Sequence, residues 1–268
     1  MVVELKYGNT NTYLIRGDGK YILFDTDWAG TFEKFCKSLK EKRVNVQDIE
    51  YLFISHFHPD HVGIAEQIAD LGVKIVICDV QQNFVHSSDA IFLKETGKKF
   101  VPINEAKAVS LAIGDSRLFL KEAGIEGEII YTPGHSDDSI SLWLDDGSLL
   151  VGDLNPLYEL PLHKGTQIGD TWEDLLERKP SIIYYGHAKT AVLDEYSEDS
   201  TVKASDDSEM QSLVSEIMKY IDKGYSVDKI QKKTSADIGF IEDVTRMYLT
   251  HRNVSVQGIL DRIEIKNR

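Results

Sequence analysis

An α/β protein made of two sheets covered by helices is the fold class this sequence predicts, and three observations predict it. Short apolar runs with strand character alternate with amphipathic stretches through residues 12–185. The middle of the chain carries more strand signals than helix signals, which argues against one continuous parallel sheet. Beyond about residue 205 the apolar spacing becomes wholly helical.

The elements follow in order. Thr12–Ile15 and Tyr21–Phe24 are short apolar strands joined by Gly17-Asp-Gly19, a hairpin turn signal. Residues 31–42 place Phe32, Phe35 and Leu39 at helical spacing with charges between them. Tyr51–Ile54 is a compact apolar run that suits a strand buried on both faces. A histidine-rich turn, a helical stretch over roughly 62–71 and a strand at Val73–Ile77 come next. Strands are then expected at Arg117–Leu120, Glu128–Tyr131, Ser139–Leu144 and Leu149–Val151, with a hairpin turn at Asp145-Asp-Gly147. A loop with Pro156 and Pro161, a helix near 171–178 and a strand at Ile182–Tyr185 close this part. Residues 196–209, rich in Ser, Asp and Glu, read as a connection. Two units are therefore expected, 1–195 and a helical subdomain over 205–268. In the second, Leu213, Ile217, Tyr220 and Ile221 form one face, and Val227 with Ile230 and Ile241 with Val244, Met247 and Tyr248 mark two further helices. The outline over 225–248 also resembles a helix-turn-helix. A cap or dimerisation element is preferred, because the charges there are mixed, with Arg246 and Arg252 flanked by Glu242 and Asp243.

Composition limits the function. The chain has 268 residues, 42% hydrophobic and 28% charged, with a formal net charge of -14. So acidic a surface repels phosphate backbones, so nucleic acid is not an expected partner. No basic segment precedes an apolar one at Met1–Lys6, and no apolar run nears the roughly 20 residues that span a bilayer. The two cysteines, Cys36 and Cys78, are too few for a disulfide framework and read as buried free thiols. A cytoplasmic protein acting on a small molecule, without membrane attachment and with a homodimer as an option, is the expectation.

The chemistry concentrates in Ser55-His56-Phe57-His58-Pro59-Asp60-His61. Three histidines and an aspartate lie within six positions, directly after an apolar strand whose stiff end can hold several ligands. His56 and His58 can face one metal while Asp60 and His61 turn toward a second. Imidazole nitrogen and carboxylate oxygen suit zinc, and also iron or manganese.

The motif resembles the H-x-H-x-D-H signature of the metallo-β-lactamase superfamily. Further segments are similar to that family's, in its order: Asn11–Ile15 and Leu23–Thr26 to its opening strands, Thr132-Pro-Gly-His135-Ser-Asp-Asp-Ser-Ile140 to its third motif, Leu150-Val-Gly-Asp153 to its fourth, and Tyr185-Gly-His187 to its fifth. The resemblance implies an αβ/βα sandwich with a dinuclear site at one edge. His56, His58 and His135 would hold one metal, Asp60, His61 and His187 the other, and Asp153 would bridge both. Asp25 would orient a ligand histidine by accepting its other ring N–H. One departure is Asp27, standing where the family often has glycine, which alters the pocket rim. Tyr158 either donates to an oxyanion, as a loop tyrosine does in some lactonases of this fold, or simply packs. His163 either lines the pocket or lies in a solvent-exposed loop. His86 and His251 read as surface or helix residues, and Trp28 and Trp172 as rim or core aromatics.

The fold does not set the reaction. Asp153 argues against a true β-lactamase, where Cys or Ser generally stands at that point. Tyr185-Gly-His187-Ala-Lys-Thr190 is similar to the glyoxalase II ending. The resemblance therefore implies hydrolysis of a small thioester, ester or lactone by a metal-bridging hydroxide, with two divalent ions, zinc first, and with Asp60 orienting the nucleophile. The alternatives are a mononuclear iron oxygenase of the persulfide dioxygenase type using His56, His58 and Asp153, a phosphodiester hydrolase of the same fold, and a ligand-sensing, non-enzymatic protein.

Overall fold

The computed structural model describes residues 1–95, 100–193, 208–250 and 254–267. Six strands form the first sheet, in the spatial order β1 (Val2–Leu5), β2 (Thr12–Arg16), β3 (Tyr21–Phe24), β4 (Ile49–Phe53), β5 (Lys74–Cys78) and β6 (Val109–Leu111). β1 to β3 run antiparallel, and β3 to β6 are parallel. The second sheet has five strands. β7 (Gly127–Tyr131) pairs with β8 (Ile140–Leu144), then come β9 (Ser148–Leu150), β10 (Ile182–Tyr184) and β11 (Ala191–Val192). Within it only β9 and β10 run parallel.

The sheets pack through one apolar layer. Tyr13, Phe24, Phe53 and Val76 from the first meet Ile129, Ile140, Leu142 and Leu150 from the second. The outer face of the first sheet is covered by α1 (Phe32–Glu41), α2 (Pro59–Val62), α3 (Ala65–Ala69) and α4 (Asp89–Glu95), which bury Phe35, Leu39, Val62, Ile68 and Phe92. α5 (Ser116–Glu122) lies at the sheet edge, and α6 (Gln167–Glu177) covers the second sheet with Trp172 and Leu175. Helices outside and two sheets inside give the expected αβ/βα sandwich. Each face exists because alternate strand residues are apolar on both sides of the sheet.

The C-terminal helices α7 (Ser208–Asp222), α8 (Val227–Thr234), α9 (Ile238–Thr250) and α10 (Val256–Lys266) share a core of their own, including Val214, Ile217, Ile230, Val244 and Ile259. That core is tied to the sandwich by polar contacts: the Ser255 amide donates to Glu159 at 2.7 Å, and Lys189 pairs with Glu264 at 2.8 Å.

Four expectations differ from the structure. Arg117–Leu120 is helical within α5, not a strand. Leu120 is buried and Phe119 packs on Tyr51 and Phe53, while Leu118 stays exposed, which is a helical and not an alternating pattern. The stretch over 62–71 is two short helices. Gly63 sits so close to the backbone of Trp28 and Ala29 that a Cβ there would meet the Ala29 nitrogen at 2.1 Å, and the chain bends at this contact. A fourth C-terminal helix, α10, follows the three expected ones, and Cys36 is exposed while Cys78 is buried. Residues 196–207 of the expected connection, the boundaries at 195 and 205, His251 and Arg252 lie outside the described residues. Among the described residues, no helix is long and apolar enough to cross a membrane.

Candidate metal centre

Strand ends build the site. His56 follows β4, Asp153 follows β9 and His187 follows β10, while His135 sits in the β7–β8 connection. β9 and β10 are parallel neighbours, so their C-terminal ends present Asp153 and His187 side by side. The turn after β4 is held by residues that precede any chemistry. The Phe57 amide donates to Asp138 at 2.7 Å, and Gln81 donates from its side chain to the Ile54 carbonyl at 2.8 Å. With the loop fixed in this way, Pro59 starts α2 and aims Asp60 and His61 inward.

All seven residues singled out in the sequence converge. His56, His58 and His135 form one group and Asp60, His61, Asp153 and His187 another, with the ligand atoms of each within 4.8 Å of one another. Asp153 lies between the groups: its Oδ1 is 3.2 Å from His61 Nε2, and its Oδ2 is 3.6 Å from His135 Nε2 and 3.4 Å from His187 Nε2.

The outer ring nitrogens are already committed, which fixes what faces inward. His187 donates from Nδ1 to the Asn9 carbonyl at 2.9 Å, leaving Nε2 for the centre. His61 places Nδ1 3.0 Å from Asp25, and His56 places Nδ1 2.9 Å from the Ser55 hydroxyl. Asp25 follows β3 in a left-handed conformation with φ of 65°, which aspartate tolerates better than most residues. There it also accepts the Ser55 amide at 2.6 Å.

Divalent metals fit this cage. His56 Nε2, His61 Nε2 and Asp153 Oδ1 are buried without a hydrogen-bond partner among the described residues. His61 Nε2 and Asp153 Oδ1 lie 3.2 Å apart inside the cluster. Orphaned buried lone pairs are costly unless a cation satisfies them. Gly186 leaves the room: a Cβ there would lie 2.5 Å from Asp153 Oδ1.

The electrostatics separate the two halves. Burial, then the neighbouring rings of His61, His135 and His58, holds the His56 pKa well below the ordinary range. Burial also pushes His135 down to about 3, against the pull of Asp153. These rings are neutral and ready to ligate. For His61 burial works the other way from the result, since the carboxylates of Asp153 and Asp25 overcome it and raise the pKa. His187 is raised against burial by Asp153 and Asp60 in the same manner. Protons thus hold this half together when no cation does, and metal entry there must release them.

Other candidates fall into place. Trp28 lines the cavity over the cluster and Trp172 is fully buried. Asp27 is buried, accepts the Thr10 amide at 2.9 Å and the Trp28 amide at 2.6 Å, and is pushed up to about 6 by burial. Of the two readings of Tyr158 packing holds, and neither reading of His163 does. Tyr158 turns its hydroxyl away from the cluster to donate to Asp261 at 2.9 Å, because α10 brings that carboxylate within reach. His163 is buried below the loop, neither exposed nor on the cavity wall. His86 stays at the surface, bonded to Asp89 and Glu105. Asp138 lay within the third motif without a role assigned to it, and Gln81 and Asn9 were not singled out. The sequence reading missed the cavity wall given by α9 and α10, where Arg246, Met247, Arg262 and Lys266 bound a space of about 430 Å³.

Comparison with known proteins agrees with this geometry. The family model described as the metallo-beta-lactamase superfamily matches residues 5–187, a span that holds all seven residues. A beta-lactamase-like protein 2 homolog of Caenorhabditis elegans is 30% identical over 194 residues, 66% of this chain and 55% of that protein, so the chain spans little more than half its relative's length. A Bacillus subtilis protein named a probable metallo-hydrolase, YqjP, is 23% identical over 68% of each chain. Among solved structures, the metallo-beta-lactamase family protein TTHA1429 of Thermus thermophilus superposes with a TM-score of 0.55 at 19% identity, covering 98% of this chain and 91% of its own. TTHA1623, solved in a di-iron-bound form, gives a TM-score of 0.54 at 19% identity, covering 72% of this chain and 94% of its own.

Proposed function

The chain belongs to the metallo-beta-lactamase superfamily, and from that premise we propose that it is a dinuclear metal-dependent hydrolase acting on the carbonyl of a small thioester, ester or lactone. The observation that carries the reading is the position of Asp153, with one carboxylate oxygen facing His61 and the other facing His135 and His187. Two divalent ions bound there would lower the pKa of a shared water and polarise the carbonyl under attack.

The chain's own groups do the rest. His56 and His135, held neutral, stand with His58 on one side, and Asp60, His61 and His187 close the other. Asp60 Oδ2 lies 2.9 Å from His187 Nε2 and accepts a hydrogen bond from it only while the ring carries its second proton. Its carboxyl is held below the ordinary range by that bond and by the nearby histidine charges, which outweigh burial. It therefore stays an acceptor at neutral pH, suited to orienting the nucleophile's proton. Asp25 keeps His61 in the ring orientation that presents Nε2. Zinc is the first choice of metal, with iron and manganese compatible with the same donors. The four C-terminal helices serve as a cap that bounds the substrate cavity, and a small molecule fits its size better than a duplex.

Metal-stripped protein titrated with zinc, iron or manganese, and assayed on thioester, lactone and phosphodiester substrates, tests this reading. Hydrolysis of a carbonyl substrate that saturates at two equivalents supports it. Full activity at one equivalent of iron, with oxygen consumed, replaces it with the oxygenase, and exclusive phosphodiester cleavage replaces the substrate class.

A further inference from the structure

Arg262, on α10, is a buried cation without a counter-ion among the described residues. It is 7% exposed, and its Nε has no hydrogen-bond partner among them. Its one direct hydrogen bond there runs from Nη1 to the Gly258 carbonyl of its own helix, a long 3.3 Å. The carboxylates around it are engaged elsewhere. Asp261 accepts from Tyr158 at 2.9 Å and Gln257 at 2.7 Å, Glu264 pairs with Lys189 at 2.8 Å, and Glu159 accepts from Asn155 and from the Ser255 amide at 2.7 Å each. Nor does Arg262 form an ion pair with Asp153, which it borders on the cavity wall and whose near neighbours are His61, His135 and His187.

Burying a guanidinium is expensive unless something anionic meets it. Beside Arg262 the wall carries further positive charge. Lys266 binds both oxygens of Asp243 at 2.7 and 2.6 Å, and Arg246 contacts the same carboxylate at 3.0 Å. In a chain of net charge -14, this places a local cationic face opposite the metal cluster, on the same cavity.

We propose that Arg262 is a specificity-determining residue that recognises an anionic group, a carboxylate or a phosphate, on the substrate. The guanidinium's planar fork matches either group. The group would sit on the α10 side of the cavity while the scissile bond lies over Asp153 and His187. The position of the scissile bond rests on the hydrolase reading; the anion site does not.

Two measurements on the metal-loaded full chain separate these claims. The first is calorimetric binding of succinate and of inorganic phosphate to the wild type, Arg262→Gln and Arg262→Met, with metal content measured in each. The second is kcat/KM on matched thioesters: succinyl against butyryl on one thiol, and 4′-phosphopantetheine against pantetheine as leaving group with one acyl chain. Charge-assisted bonds predict that the wild type favours one anionic member by about 10- to 100-fold, and that both variants erase the preference by slowing that member alone. The pair that shows the preference tells whether the anion is an acyl carboxylate or a leaving-group phosphate. Equal slowing of charged and neutral substrates, or no change in either variant, overturns the proposal. If no thioester is hydrolysed, the thioester branch of the hydrolase reading fails, and binding still decides: affinity lowered about 10-fold or more in either metal-retaining variant keeps the anion site, and unchanged affinity removes it. Arg262→Met keeps the apolar stem, so it provides the readout if Arg262→Gln does not fold.

Discussion

Replacing Gly186 with alanine adds one methyl group and should disarm the site while leaving the fold in place. The new Cβ would lie 2.5 Å from Asp153 Oδ1, 3.0 Å from His61 Cε1 and 3.2 Å from the Gly152 carbonyl. Even close carbon–oxygen contacts are about 3.3 Å or longer, so the carboxylate must retreat by about 0.8 Å. Metal–ligand distances are set to within about 0.2 Å, so the displacement is several times the tolerance of a bridging ligand. Disturbing the support of a single ligand typically weakens metal binding about 10- to 100-fold. Moving the ligand that both metals share should reach the upper end of that range at each position. The backbone is not strained, because Gly186 is outside the left-handed region and keeps its bonds to Gly152 and Asn11. The cost to folding should be overpacking alone, about 1–3 kcal/mol. Chelator competition measures the metal affinity, and thermal unfolding of the stripped protein measures the fold. A Gly186→Ala protein that keeps both metals at wild-type affinity would refute the reasoning, since Asp153 would then not need the space.

Two further substitutions test the neighbouring groups. Asp25→Asn tolerates the left-handed backbone but loses the negative charge beside His61, so metal affinity should fall about 10- to 100-fold, read by the same chelator competition. Tyr158→Phe removes the hydroxyl that binds Asp261; stability should drop by about 1–3 kcal/mol in denaturant unfolding while kcat holds, whereas a selective fall in kcat would return Tyr158 to an oxyanion role.

The sequence was most informative where function forces unusual residues together. His56, His58, Asp60 and His61 stand close in the chain, and seven ligand-type residues were readable because few structural roles call for them in that order. Segments with ordinary patterns were harder to read. Arg117–Leu120 carries two leucines and a phenylalanine, and only packing against Tyr51 and Phe53 decides that it is a helix. Asp138 carried a faint signal, as an acid just after His135. Arg262 carried none: it sits in a mixed-charge helix far along the chain from His187, and its isolation from carboxylates is visible only once α10 lies on the cavity. The partner of Tyr158 was equally hidden, since Asp261 is 103 residues away.

The central claim is that Asp153 joins two metals. Anomalous diffraction from crystals of the metal-loaded protein tests it most directly. Two peaks roughly 3.5–4 Å apart are expected, with Asp153 in contact with both. One should lie about 2.0–2.2 Å from the facing atoms of His56, His58 and His135, and the other at the same distance from Asp60, His61 and His187. A single peak at full loading, or two peaks with Asp153 bound to only one, would contradict it.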